Sequence, residues 1–411
     1  MYLRRDIEGL LKRALDAMPV VVLTGPRQAG KSTLLRNHPA LAGRRYFTMD
    51  DAALRAKTLR ESDGLLSGTI PVTIDEAQRV PGLMMAIKRH VDRDRKPGQF
   101  LLSGSSNFLL LRNLAENLAG RAVYLRMGPM TWREINDSKN PPLLYRLLRD
   151  PDAADQLISE ARPVANPQPE DWMAGGFPPA ALAKSAEARS FWFTGYRQTY
   201  LERDLRDLAQ VGDLGLFDQF LQIMALRSAQ ILNVREIARD CGSNAPTISR
   251  WIRLLETGFM GQRIAPYFSN KAKRLVKTPK WYLTDSGIMG HLTGLSAENI
   301  RGGGPLRGPI FETYIQQNIS SILGDTLPEG RLFHYRSHAG YEVDFVIEHG
   351  AARIAVEVKA GSDVDGRDVK GMSALLESDR GCILGLVVYN GSEVRPLGDR
   401  MWAVPTGVFL S

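Results

Sequence analysis

Three apolar runs in the first hundred residues share one design. Pro19–Leu23 (PVVVL), Ile70–Asp75 (IPVTID) and Gln99–Ser103 (QFLLS) are near-continuous apolar stretches, each leading into small or acidic residues. A run that does not alternate reads as a parallel strand covered on both faces. The helix-like LLRNH comes after the first run, and a helical segment from Asn107 to Leu118 leads through Ala-Gly120-Arg121 into a further strand, Ala122–Leu125. The start, MYLRRDIEGLLKRAL, has the period of an amphipathic helix interrupted by charge, not that of a signal-peptide core. Near the other end, Tyr341–Gly361 (YEVDFVIEHGAARIAVEVKAG) reads as two strands around a turn at His349–Ala352. Residues two apart on a strand share a face. Ile354, Val356 and Val358 then form an apolar face, with Glu357 and Lys359 on the other. On the first strand, Glu342 and Asp344 share the face opposite Val343 and Phe345.

At 411 residues the chain exceeds one ordinary core and is expected to hold two to four domains. Its 44% apolar and 24% charged residues are those of a globular protein. No apolar run approaches the roughly 18 to 20 residues needed to span a bilayer. Cys241 and Cys382 lie far apart, without metal-type or disulfide spacing, which suits a reducing cytoplasm. A soluble cytoplasmic protein is the expectation. The net charge is +8, and residues 231–285 carry ten lysines and arginines against four aspartates and glutamates, a concentration that favours a polyanionic partner.

The chemistry begins after the first run. Gly25-Pro26-Arg27-Gln28-Ala29-Gly30-Lys31-Ser32-Thr33 is the GxxxxGK[ST] pattern, set between a strand and a helix as the motif requires. Its glycines let backbone N–H groups curl around phosphate oxygens, and the helix N-terminus adds a favourable dipole. Lys31 is expected to reach the β- and γ-phosphates of ATP, and Ser32 to ligate Mg2+. The second run ends in Asp75, the acidic partner that holds magnesium, and Glu76, placed to polarise the attacking water. After the third run, Ser103, Ser105 and Ser106 are candidates to hydrogen-bond the γ-phosphate, with Ser105 taken as the nucleotide contact; a plain turn is the alternative.

In Val234–Leu255 (VREIARDCGSNAPTISRWIRLL), Ala238, Gly242 and Ile248 fall at helix-turn-helix spacing. The alanine permits close approach, glycine the turn, and isoleucine locks the second helix to the first. Thr247, Arg250 and Arg253 would then face DNA, and Lys271, Lys273 and Arg274 would contact phosphates. Such helices also serve as protein–protein modules. In the C-terminal hairpin, Asp344 and Glu357 on adjacent strands, with Lys359, suit a magnesium ion and a scissile phosphate. Glu312, on the helix-like Gly308–Leu323, is a further candidate metal ligand. An exposed hairpin with incidental charges is the alternative.

Taken in order, GPRQAGKST, IDEAQ, LLSGSS, LAGR, GGFP (175–178), Tyr200-Leu-Glu-Arg-Asp204, Phe311-Glu-Thr and EVDFVIE…VEVK resemble a prokaryotic AAA-type ATPase family whose C-terminal domain of unknown function is built like a restriction endonuclease. The likeness covers most of the chain and is poorest over 136–170, rich in proline and charge. It implies an α/β fold in four parts: a P-loop AAA-type core with a parallel sheet flanked by helices (1–135), lid or linker helices (136–200), a helical, winged-helix-like region (201–295) and a restriction-endonuclease-like α/β domain (296–411). It also implies that Arg121 is an arginine finger acting on a neighbouring subunit, hence self-association, with a helix-end surface cation as the alternative. The hairpin matches the D…(D/E)xK arrangement of such nucleases, with valine where proline usually precedes the aspartate. Two functions are implied: ATP hydrolysis coupled to DNA binding and remodelling with metal-dependent cleavage, or an ATP-switched DNA- or protein-binding module whose nuclease-like domain is inactive.

Overall fold

The computed structural model describes residues 2–104, 118–162, 164–199, 213–268, 274, 277–337 and 339–411. The expectations placed on Ser105, Ser106, the helical segment over 107–117, Tyr200–Asp204, Lys271 and Lys273 lie outside them. The chain divides into two compact units, one of residues 1–129, 257–259 and 324–326, the other of residues 130–256, 260–323 and 327–411. No helix among the described residues is long and apolar enough to cross a membrane.

The first unit is built on a wholly parallel sheet of β1 (Val20–Thr24), β2 (Arg45–Thr48), β3 (Val72–Asp75), β4 (Phe100–Gly104) and β5 (Ala122–Arg126), in the order β2-β3-β4-β1-β5. Helices α1 (Glu8–Ala17), α2 (Lys31–Asn37) and α3 (Leu83–Arg93) pack around it. The absence of alternation in PVVVL has a direct cause. Val20 and Val22 enter one core with Ile74, Ile87 and Leu102, while Val21 and Leu23 enter another with Leu11, Leu34 and Leu101. Strand β3 begins at Val72, and Ile70 is exposed ahead of it, beyond a proline that has no N–H to give the sheet.

In the second unit, helices α4 (Pro169–Ala174) and α5 (Leu214–Leu226) precede α6 (Val234–Asp240) and α7 (Ala245–Thr257). Asn233 caps α6, and the turn between α6 and α7 passes through Gly242 at φ +61°, with Ser243 N–H returning to the Ala238 carbonyl at 2.8 Å. Ile248 is fully buried, and Trp251 packs edge-on to Phe217, with ring centres 5.2 Å apart. A small antiparallel sheet, β6 (Gln230–Ile231), β7 (Gly261–Ile264) and β8 (Lys280–Leu283), has β8 in the middle. After α8 (Ser286–Thr293) and α9 (Arg307–Thr326) comes a mixed six-stranded sheet of β9 (Arg331–Arg336), β10 (Glu342–His349), β11 (Ala352–Lys359), β12 (Cys382–Tyr389), β13 (Arg395–Gly398) and β14 (Met401–Pro405), ordered β13-β14-β12-β11-β10-β9, with α10 (Lys370–Ser378) between β11 and β12.

One strand departs from simple alternation. Val343 packs with Val346 and Ala355, whereas Phe345 joins Ile347 and Val356 in a different core cluster. The register between β9 and β10 shifts between Val343 and Val346, and such a bulge re-aims the side chains around it. Val343 and Phe345 therefore do not share the face that strict period two assigns them.

Candidate functional site

The phosphate loop joins β1 to α2 at the carboxyl ends of the strands, where open parallel sheets bind ligands. Gly25 sits at φ +148° against the next strand's exit; a Cβ there would lie 2.1 Å from the Met127 carbonyl oxygen. Gly30 caps α2 in the left-handed region at φ 100°. The buried Lys31 ammonium donates to the carbonyls of Gly25 at 2.9 Å and Pro26 at 2.8 Å. Burial pulls its pKa down to about 8, partly offset by Glu76 and Asp75. Ser32, half-buried, and Thr33, exposed, open the helix.

Asp75 ends β3, buried. Its Oδ2 accepts from Tyr46 Oη at 2.7 Å, and its Oδ1 from the Ser103 hydroxyl. The next residue, Glu76, turns into the left-handed region at φ 54°, and its carboxylate accepts from Gln78 Nε2 at 2.5 Å. Two residues beyond the motif complete this site. Buried Arg5 donates to the Ala29 carbonyl at 2.7 Å and the Gly128 carbonyl at 2.9 Å, tying the loop to a segment ahead of α1. Tyr46 orients Asp75. Neither stands in a motif, and only the tertiary fold brings them here. Ser103, one of the three serines considered, serves Asp75. The oxygen donors of Ser32 and Asp75 fit magnesium, which prefers few protein ligands beside substrate phosphates.

Arg121 lies just before β5, and its carbonyl accepts from Val20 N–H at the start of β1. It thus stands at the opposite end of the strands from the phosphate loop of its own chain. Its Nε pairs with Asp92 of α3 at 2.5 Å.

The C-terminal carboxylates do converge. Phe345 pairs with Val356, so the next rung sets Asp344 across from Glu357. Glu312 projects from α9, and between Glu312 and Asp344 stands Lys280, the first residue of β8, its Nζ 2.6 Å from Glu312 Oε1 and 3.2 Å from Asp344 Oδ1. Tyr282, two residues on, donates to the same Glu312 oxygen. Val358 N–H holds Asp344 Oδ2 at 3.0 Å, and Lys359 pairs with Glu357 at 3.0 Å and Asp368 at 3.3 Å. Burial, reinforced by Asp344, raises the pKa of both Glu312 and Glu357. Burial acts to lower Lys280, but Asp344 and Glu312 outweigh it and the net shift is upward.

Among the described residues, no group of three or more His, Cys, Asp and Glu side chains is arranged to hold a metal ion. Of the residues expected to form a magnesium shell, Glu312 and Asp344 share the Lys280 ammonium and Glu357 pairs with Lys359. In the sequence Lys280 reads only as part of a basic stretch. The signal that could have marked it is Lys-Trp-Tyr-Leu, which puts Lys280 and Tyr282 on one strand face.

Of the residues assigned to nucleic acid, Arg250 and Arg253 are exposed on α7, and Thr247 is half-buried, its N–H held by Asn244 at 2.9 Å. Arg274 is a correction. It is 6% exposed, forks onto Glu348 with both contacts at 3.0 Å, and packs against the rings of Tyr267 and Phe333. A guanidinium so engaged offers nothing to a phosphate. The GGFP motif is structural. Asp285 caps α8 by accepting from Ile288 N–H at 2.9 Å and also accepts from Gly176 N–H at 2.7 Å. Gly175 is at φ +65°, and a Cβ on it would meet Asp285 Oδ1 at 2.2 Å.

A model of the AAA domain matches residues 17–136, so the first unit carries an AAA-type P-loop ATPase domain. Models of two domains of unknown function match residues 168–299 (DUF8612) and 307–409 (DUF4143). The chain is 31% identical over 412 residues to the uncharacterized protein Rv2008c of Mycobacterium tuberculosis, covering 99% of this chain and 85% of the relative, and it belongs to that protein's family. An uncharacterized Haemophilus influenzae protein is 23% identical over 305 residues, with 68% of this chain and 70% of that one covered. Among solved structures, the Walker-type ATPase PABY2304 of Pyrococcus abyssi is similar with a TM-score of 0.41 and 15% identity, covering 71% of this chain and 96% of that one.

Proposed function

We propose that the chain is a magnesium-dependent ATPase whose nucleotide cycle governs DNA binding and remodelling by its C-terminal half, with metal-dependent DNA cleavage by the C-terminal domain. The observation that carries the ATPase part is that Lys31 follows the carboxyl end of β1 while Asp75 and Glu76 stand at that of β3, on either side of β4, in an AAA-type domain. Phosphate oxygens displace the Gly25 and Pro26 carbonyls from Lys31 and gather the loop's N–H groups. Ser32 and Asp75 would hold magnesium, which neutralises phosphate charge when bound. Glu76, steadied by Gln78, orients the attacking water and takes its proton. Lys31→Ala and Glu76→Gln are expected to lower ATP turnover by about 100-fold or more, read as phosphate release. Full turnover in either refutes the assignment.

Arg121 cannot serve the nucleotide of its own chain from the far end of the strands, so its role as a finger requires a neighbouring copy and hence self-association. The exposed arginines of α7 support DNA as the partner. Charge reversal at Arg250 and Arg253 is expected to abolish retention on DNA at low salt; unchanged binding overturns this part.

A second reading, a switched module binding DNA or protein without cleavage, is favoured by the ammonium between Glu312 and Asp344. Magnesium- or manganese-dependent nicking of duplex, branched and single-stranded DNA, compared with Asp344→Ala, separates the two. Nicking lost in the variant supports cleavage, and its absence throughout supports the switch.

A further inference from the structure

Lys280 and Tyr282 reach the carboxylates from the small β6-β8-β7 sheet, whereas Asp344 and Glu357 stand on the mixed sheet and Glu312 on α9. One oxygen of each glutamate and both oxygens of Asp344 are already engaged. Glu312 Oε1 accepts from Lys280 and Tyr282, Asp344 divides its two oxygens between Lys280 and Val358 N–H, and Glu357 Oε1 pairs with Lys359. The Lys280, Glu312 and Asp344 side chains are only 13%, 15% and 18% exposed. A divalent ion entering here would need to strip these hydrogen bonds while standing beside a positive charge in a poorly hydrated space.

We infer that Lys280 is the resident cation of the Glu312–Asp344 pair, beside Glu357, and that it excludes divalent ions from the C-terminal domain while β8 stays packed. Withdrawing the lysine leaves three carboxylates facing one remaining ammonium, Lys359, and turns the same oxygens into a divalent-cation site. Access of metal to the C-terminal domain is therefore controlled by a strand of a different sheet. The inference goes beyond the ATPase reading and does not depend on it.

The test is Mn2+ binding to the full chain without nucleotide, followed by electron paramagnetic resonance. Wild type and Asp344→Asn are expected to bind alike. Lys280→Met is expected to gain one site per chain, at least tenfold tighter than any in the wild type, and the double variant Lys280→Met/Asp344→Asn to lose it. A wild-type site that disappears in Asp344→Asn overturns the inference, as does a folded Lys280→Met chain with no added site. Should Lys280→Met not fold, Lys280→Gln, one bond shorter but still a donor, is expected to gain the site more weakly; no gain in it overturns the inference. Mn2+ is also expected to shift the melting temperatures of wild type and Asp344→Asn equally, and a larger wild-type shift counts against it. ATP turnover measured in parallel reports separately on the nucleotide site.

Discussion

Asp285 is a carboxylate taken almost wholly out of water, balanced by backbone donors rather than by a cation. Burial pushes its pKa up to about 6, against an ordinary value of 3.8, despite hydrogen bonds from Gly176, Ile288 and their neighbours. The folded value lies above the unfolded one, so the stability linked to its protonation is complete below about pH 4 and is lost as the pH rises through 6. A shift of this size corresponds to about 3 kcal/mol. Thermal unfolding is expected to rise in midpoint between pH 7 and pH 5 through this group, with a smaller rise in Asp285→Asn. Asp285→Ala orphans buried N–H groups and is expected to cost about 2–4 kcal/mol. None of this is readable from GGFP as a string. The glycines announce a special backbone, but its partner lies more than a hundred residues away. Lys31, Asp75 and Glu76 are legible because their chemistry is local, each fixed by the end of one strand. Lys280 is not, since its partners at 312 and 344 stand on other elements and a lysine alone reads as surface charge.

Elements are legible where burial is unambiguous. Strands covered on both faces leave continuous apolar runs, and β1, β3 and β4 show themselves that way. The bulge in β10 leaves no such mark, because one inserted residue changes facing without changing composition. The helix pair α6–α7 shows in Ala238, Gly242 and Ile248, but the aromatic seam seating it does not. Trp251 packs against both Phe217 and Phe220, with ring centres 5.2 and 5.3 Å away. Trp251→Ala is expected to cost about 3–5 kcal/mol and to weaken DNA retention without altering the ATP affinity of the folded protein. Far-UV dichroism during urea titration, with nucleotide binding measured alongside, checks both.

The whole chain holds two compact units with separate cores, and only the first carries the phosphate loop. Calorimetry is expected to resolve more than one transition. A non-hydrolysable ATP analogue with Mg2+ should raise one of them by about 2.7 kcal/mol at a hundredfold excess over Kd, and Lys31→Ala should remove that shift.

The loop's integrity depends on more than its motif, because Arg5 fastens the Ala29 and Gly128 carbonyls from a segment well before it. Limited proteolysis or a bulky fusion that dislodges residues 2–6 would therefore register as a weakened nucleotide grip in a protein whose spectrum still looks native. A low ATPase rate in such a preparation would reflect a lost clasp, not a missing catalytic group.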